Sequence, residues 1–141
     1  MAEIKSFITH HLVKSEDLNH HGTLFAGRSA ELFIESCFVA ASSYVKPQNL
    51  ICLKIHGMEF LKAVKLGEIL CFDSRVIYAG RSSLITYTKV TKAGDLKMVE
   101  DGYISFIHVD ENTKPMPHGV TIKPETEDDI KCYEEAKLLK K

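Results

Sequence analysis

Residues 19–43 read NHHGTLFAGRSAELFIESCFVAASS, a polar loop punctuated by Gly22 and Gly27 that runs without a break into a long apolar segment. Leu32, Phe33, Ile34, Cys37, Phe38, Val39, Ala40 and Ala41 point in too many directions around a 100° wheel to leave a broad solvated face. The pattern predicts a buried helix from Ala26 to Tyr44. Arg28, Glu31 and Glu35 nevertheless fall on one stripe of it, three and four residues apart. A carboxylate two turns inside a core helix is costly to desolvate unless something requires it there.

Working outward, Lys46-Pro47-Gln48-Asn49 ends the helix, because the residue before a proline is pushed out of helical geometry. A loosely alternating strand is expected before the loop, over residues 4–13. Four more follow, at 50–61, 68–79, 83–92 and 96–110, separated by Lys65-Leu66-Gly67, Gly80-Arg81-Ser82 and Ala93-Gly94-Asp95. Connections this short favour antiparallel neighbours, so the four are expected to form a meander. The segment around Pro115, Pro117 and Gly119 is irregular. The tail places acids first and lysines last, as a helix dipole prefers, with Ile130, Tyr133, Ala136 and Leu138 as its apolar stripe. The architecture expected is α+β, a five-stranded antiparallel sheet wrapped around one central helix. It divides into a single domain over residues 1–125 and a helical tail over 126–141.

Composition narrows the function classes. With 141 residues, 45% of them apolar, the chain can bury a core without staples. A formal net charge of −1 offers no electrostatic reason to expect nucleic acid or an anionic membrane as partner. No segment approaches the length of a membrane span, and the N-terminus lacks a signal-peptide core. Cys37, Cys52 and Cys71 lie in apolar runs, and with Cys132 they form no CxxC pair. They read as buried free thiols of a cytosolic protein. His10, His11, His20, His21 and His56 are too scattered for a zinc spacing, so no metal is expected.

Three stretches, in this order and spacing, resemble the hotdog-fold acyl-CoA thioesterases. They are the loop Asn19–Gly27 before the helix, the strand and turn His56-Gly57-Met58-Glu59-Phe60-Leu61-Lys62-Ala63-Val64-Lys65-Leu66-Gly67-Glu68, and the turn Tyr78-Ala79-Gly80-Arg81-Ser82-Ser83. Val109-Asp110-Glu111-Asn112 is a fainter echo. The resemblance implies a hotdog fold and a homodimer that assembles further to a tetramer or hexamer. It also implies thioester hydrolysis at a site between subunits, with acyl-CoA as substrate and no separate cofactor.

Residue by residue, the resemblance makes Asn19 and Glu35 catalytic. Glu35 stands in because the position fifteen residues after the asparagine, where the family carries aspartate, is Ile34. Glu31 is its reserve. Gly22, Thr23, Phe25, Gly27, His56 and Glu59 are implied in holding the thioester, and Arg81, Ser82, Ser83 and Lys62 in gripping coenzyme A. A guanidinium suits phosphate because it binds bidentately. His56 stands where related enzymes often carry aspartate, so the roles on that strand stay open, and two alternatives stand beside the hydrolase. One is a hydroxyacyl-thioester dehydratase pairing His56 with Glu35, and the other is an acyl-CoA sensor without turnover. The bland readings are that Asn19 braces its own loop and that Glu35 is a structural carboxylate.

Overall fold

The computed structural model describes residues 2–139 and is built around the helix that the opening stretch predicts. The elements are β1 (Ala2–Glu3), β2 (Phe7–Leu12), α1 (Ala26–Ser42), β3 (Leu50–Phe60), β4 (Ile69–Ala79), β5 (Ser83–Lys92), β6 (Asp95–His108), β7 (Ile122–Lys123) and α2 (Glu127–Leu139). Five strands form one antiparallel sheet in the order β2-β4-β5-β6-β3, and β1 pairs in parallel with β7 as a small separate ribbon. The last two residues of the sequence lie outside the described ones.

The sheet corrects the expected meander. β3 and β4 are consecutive in the chain but not neighbours, because β3 runs along β6 at one edge and β4 lies beside β2 near the other. Residues 61–68 therefore span the sheet instead of turning a hairpin. Their ends are tied by Leu61 N–H to Val99 O and by Val13 N–H to Glu68 O.

Strand parity assigns the two faces. Ile104 and Phe106 of β6 look inward and join Phe33, Cys37, Ala40 and Ala41 of α1 with Phe72, Val76, Leu84 and Val90 in the main core. Phe38 meets Phe106 edge-on, with ring centroids 5.8 Å apart. A row of buried hydroxyls also fixes the helix to the sheet. Ser36 Oγ lies 2.6 Å from Ser74 Oγ, which lies 2.6 Å from Thr88 Oγ1, and Cys37 Sγ is 3.0 Å from that same Thr88. Gly102 permits the closest approach: a Cβ there would stand 2.1 Å from Gly57 O and 3.2 Å from Phe33 Cζ.

On the opposite face Ile77, Tyr78 and Ile85 pack beneath Cys132 and Ala136 of α2. Arg75 Nη1 donates to Asp129 Oδ1 at 2.5 Å, and Tyr103 donates to Glu135, pinning that helix to the sheet. The tail is thus docked through Asp129, Cys132 and Ala136, while Ile130 and Leu138 of the expected stripe are 45% and 75% exposed.

Two further expectations change. α1 is not covered all round, since Glu31, Glu35 and Val39 form an exposed stripe at helical spacing. Of the cysteines, Cys37 and Cys132 are buried, Cys71 is intermediate and Cys52 is exposed on the edge strand. Among the described residues, no helix is long and apolar enough to cross a membrane.

Candidate functional site

The loop before α1 is held from behind by one buried carboxylate. Asp17, 1% exposed, accepts hydrogen bonds from Lys14 N–H, His11 Nε2 and Arg28 Nε, all at 2.9 Å. Burial alone would raise its pKa, but the Lys14 amide, the His11 ring and the Arg28 guanidinium together hold it well below the usual carboxylate range. Asp17 O also accepts from Phe25 N–H, so one residue fixes both the loop and the start of the helix.

Asn19 closes the loop on itself. Its Oδ1 accepts from the amides of His21 at 2.8 Å and Thr23 at 3.2 Å, and its Nδ2 donates to Thr23 Oγ1 at 3.1 Å. Gly22 sits at φ 80°, the left-handed region that this tight turn requires. The bracing role is therefore real, and one N–H of the Asn19 amide has no partner among the described residues. The far side of the loop is stitched to the β3–β4 connection by Leu24 N–H to Val64 O and by a bridge between Thr23 and Lys65.

These ties leave the helix entrance open. Phe25 is the N-cap and supplies no side-chain cap. Among the described residues Ser29 N–H is the first amide of α1 to find an acceptor, Phe25 O. The amides of Ala26, Gly27 and Arg28 thus have no acceptor among the described residues, and they carry the positive end of the helix dipole. Phe25 is 54% exposed beside them, and its ring lies over Gly27, where a Cβ would stand 2.6 Å from Phe25 Cε2 and push the ring aside.

A cavity of about 250 Å³ opens at this entrance. Its mouth is made by Ala26 and residues 60–63, and its walls by Leu24, Val64, Leu70 and Val99. Ser29 and Glu100 also line it. Glu100 is 2% exposed, and its carboxylate takes the Ser29 hydroxyl at 3.1 and 3.3 Å. Burial, only partly offset by that hydrogen bond, pushes its pKa up to about 7. Sequence reasoning missed Glu100, Ser29 and Asp17. Parity held the signal for the first: Phe106, Ile104 and Gly102 look inward, and the next residue of that series is Glu100.

Glu35 lies nine residues beyond Ala26 on α1, about 13 Å further along the axis at 1.5 Å per residue. One chain therefore does not bring Glu35 and the entrance amides onto the same atom. Glu31 is exposed, 3.8 Å from Arg28.

His56 and Glu59 are elsewhere. A bulge in β3 between Ile55 and Gly57 leaves His56 Nε2 2.5 Å from Ser105 Oγ, and Ser105 pairs with Ile85 on the face covered by α2. His56 and Glu59 line a cleft of about 530 Å³ there with Asp101, Tyr103 and Glu135. Burial and the nearby Lys54 lower the His56 pKa and favour the neutral ring. Within one chain His56 and Glu35 therefore stand on opposite sides of the sheet.

The Gly80–Ser83 turn is tied down chiefly through its carbonyls. Ser83 O accepts from Gly80 N–H and His118 Nε2, Ser82 O from His108 N–H, and Arg81 O from His118 N–H. The exposed Arg81 guanidinium has no ion-pair partner among the described residues. Leu61, next to Lys62, bonds Val99, and Ser82, next to Arg81, bonds His108; Val99 and His108 are nine residues apart on β6, which sets Lys62 and Arg81 roughly 25–30 Å from each other in one chain. Among the described residues no cluster of His, Cys, Asp and Glu could hold a metal ion.

A curled antiparallel sheet around a central helix, with the helix entrance open beside a cavity, is the hotdog architecture. The model of the thioesterase superfamily matches residues 21–99, and the chain belongs to that family. Among relatives, a Bacillus subtilis protein described as an uncharacterised acyl-CoA thioester hydrolase is 27% identical over 124 residues, which cover 85% of this chain and 71% of the relative. Among solved structures, an apo-hexameric acyl-CoA thioesterase superposes with a TM-score of 0.85 at 25% identity, covering 94% of this chain and 86% of the other. An acyl-CoA hydrolase from Bacillus cereus superposes at 0.87 with 23% identity, covering 95% and 83%.

Proposed function

We propose that the protein is an acyl-CoA thioesterase that works as a homo-oligomer of hotdog dimers in the cytosol. The observation that carries this reading is the uncapped entrance of α1 opening onto a cavity, in a member of the thioesterase superfamily. Amides fixed in that position stabilise the oxyanion that forms when a thioester carbonyl is attacked, and they need no rearrangement to do so. Asn19, at the end of the same loop, has a spare N–H to orient the carbonyl or the water.

The base is assigned to Glu35. It takes a proton from water, the hydroxide oxygen bonds to the carbonyl carbon, and collapse breaks the C–S bond. The products are a free acid and coenzyme A, whose thiolate takes up the proton. Since Glu35 and the entrance amides are about 13 Å apart in one chain, the Glu35 that acts on a given thioester belongs to a second copy. β3 supports such pairing. It is an edge strand with Ile51, Leu53, Ile55 and Phe60 between 41% and 60% exposed. A two-fold axis through it would set the Lys62 end of one chain against the Arg81 end of the other. Both cations could then serve one coenzyme A, Arg81 on phosphate.

The dehydratase alternative is weakened, because His56 is engaged with Ser105 on the face away from α1. The test is thiol release from short, long and aryl acyl-CoAs by the wild type and Glu35→Gln. Turnover that collapses in Glu35→Gln while acyl-CoA binding survives is the expected result. Turnover that survives the substitution overturns the assignment of the base, and binding without any thiol release leaves the sensor reading.

A further inference from the structure

Glu100 is the chemical anomaly that hydrolysis does not use. It is 2% exposed and, among the described residues, has no cationic partner and takes one side-chain hydrogen-bond donor, Ser29. A carboxyl group has about four acceptor positions, so one hydroxyl leaves most of its capacity unfilled. Around it, Leu24, Phe60, Leu61, Val64, Leu70 and Val99 make the cavity wall apolar. Apart from Lys62 at the exposed mouth, Ser29 and Glu100 are the polar side chains of this pocket, and two convergent buried polar groups against an apolar wall are the pattern of a selective binding site.

The cavity also has a direction. Its mouth is exposed at Ala26 and residues 60–63, next to the open amides, whereas Ser29 and Glu100 are buried. A thioester carbonyl seated on those amides sends its acyl group inward toward the Ser29–Glu100 pair. At about 250 Å³ the space falls below the ~300–1,000 Å³ of pockets that hold drug-sized ligands, so it accepts a short chain.

We propose that this cavity is the acyl subsite and that Ser29 and Glu100 select short acyl groups carrying a hydroxyl or comparable hydrogen-bond donor, such as 3-hydroxyacyl groups. The inference rests on the thioesterase reading above. An unsubstituted chain would strip water from the carboxyl without replacing it, whereas a hydroxyl both fills the cavity and pairs with Glu100. Sites built to bond a substrate hydroxyl discriminate strongly against analogues that lack it. The raised pKa agrees with this arrangement, since a carboxyl that is partly protonated near neutrality can donate as well as accept.

The experiment compares kcat/KM for 3-hydroxybutyryl-CoA and butyryl-CoA in the wild type, Glu100→Met, Glu100→Gln and Ser29→Ala. The ratio is internal to each variant, so loss of folded protein cancels. The wild type should favour the hydroxy ester at least tenfold. Glu100→Met should erase that preference, Ser29→Ala should reduce it, and Glu100→Gln should keep part of it through its amide oxygen. An unchanged ratio in Glu100→Met overturns the subsite. So does an equal collapse on both esters in Glu100→Met and Glu100→Gln, which would make Glu100 a catalytic group. If the wild type releases no thiol from any ester, the hydrolase reading fails by itself, and calorimetric affinities for the same two esters decide the subsite. A preference that Glu100→Met removes supports it, and equal affinities overturn it.

Discussion

Arg28 Nε donates to Asp17 Oδ1 at 2.9 Å, tying the first turn of α1 to a carboxylate that lies before the loop. Through this pair, and through Asp17 O on the Phe25 amide, the residues that leave the helix entrance open are set by a group buried behind the loop. Asp17→Asn keeps the shape but removes the charge that faces Arg28 and His11. Breaking a buried pair from one side costs about 3–5 kcal/mol, and the half-exposed Arg28 moderates that to about 2–4 kcal/mol here. Urea unfolding at neutral pH should show the loss. Because folding lowers the Asp17 pKa, its contribution is present above the ordinary aspartate pKa and fades as pH falls below it. The wild type and Asp17→Asn should therefore converge in stability toward pH 2.

Gly102→Ala tests the closest contact in the sheet. The added Cβ would meet Gly57 O at 2.1 Å, a backbone atom that cannot swing aside, and press on Phe33. Overpacking of this kind costs about 1–3 kcal/mol. A melting temperature unchanged by the substitution would mean that the bulge in β3 yields freely.

Why the opening stretch was legible and the strand order was not has a physical reason. A helix and the loop that enters it are set by residues within one or two turns, so Asn19 through Ser42 carry their own instructions. The pairing of β3 with β6 joins Leu50 to His108 and Phe60 to Glu100, contacts that no local pattern encodes. Short connections point to hairpins, and residues 61–68 are a short connection that crosses the sheet instead. Glu35 was placed in a covered helix because apolar residues surround it in sequence. Its own i±4 neighbours, Glu31 and Val39, mark the stripe that one chain leaves open. Asp17 offered no local sign, since His11 and Arg28 reach it from opposite sides of the loop.

Arg81→Ala should separate grip from chemistry. If the free guanidinium binds phosphate on the coenzyme A handle, its loss raises KM for acyl-CoA roughly tenfold or more, in line with a charge-assisted hydrogen bond of about 1.5–3 kcal/mol. kcat should change little. Acyl-pantetheine esters, which lack the nucleotide phosphates, should show no such rise in KM, and an equal rise with both would place Arg81 away from the phosphate.

Leu53→Glu addresses assembly. Leu53 is 60% exposed on the edge strand, so a charge there is nearly neutral within one chain. Across a β3–β3 pairing it would bury a charge in the apolar seam. Light scattering should show a smaller particle, and thiol release should fall with it under the proposal that the entrance amides and the acting Glu35 come from different chains. A monomer that retains full activity would sink the two-chain site.

Glu100→Gln gives a pH signature independent of any substrate. In the folded protein burial lifts this carboxyl to about 7, whereas in the unfolded chain it titrates near the ordinary 4.5. The folded state therefore binds its proton more tightly. The stabilisation is complete below the unfolded value and is lost as pH rises through the folded one. At about 1.4 kcal/mol per pKa unit the swing between pH 4 and pH 8 is at most about 3 kcal/mol, less whatever water entering the cavity screens. Glutamine has no proton to lose, and its amide can still meet Ser29. The Glu100→Gln protein should match the wild type near pH 5 and exceed it in stability at pH 8, read as urea midpoints at each pH. Parallel curves across that range would mean that Glu100 is solvated in the folded state, and a solvated carboxyl could not discriminate between acyl groups.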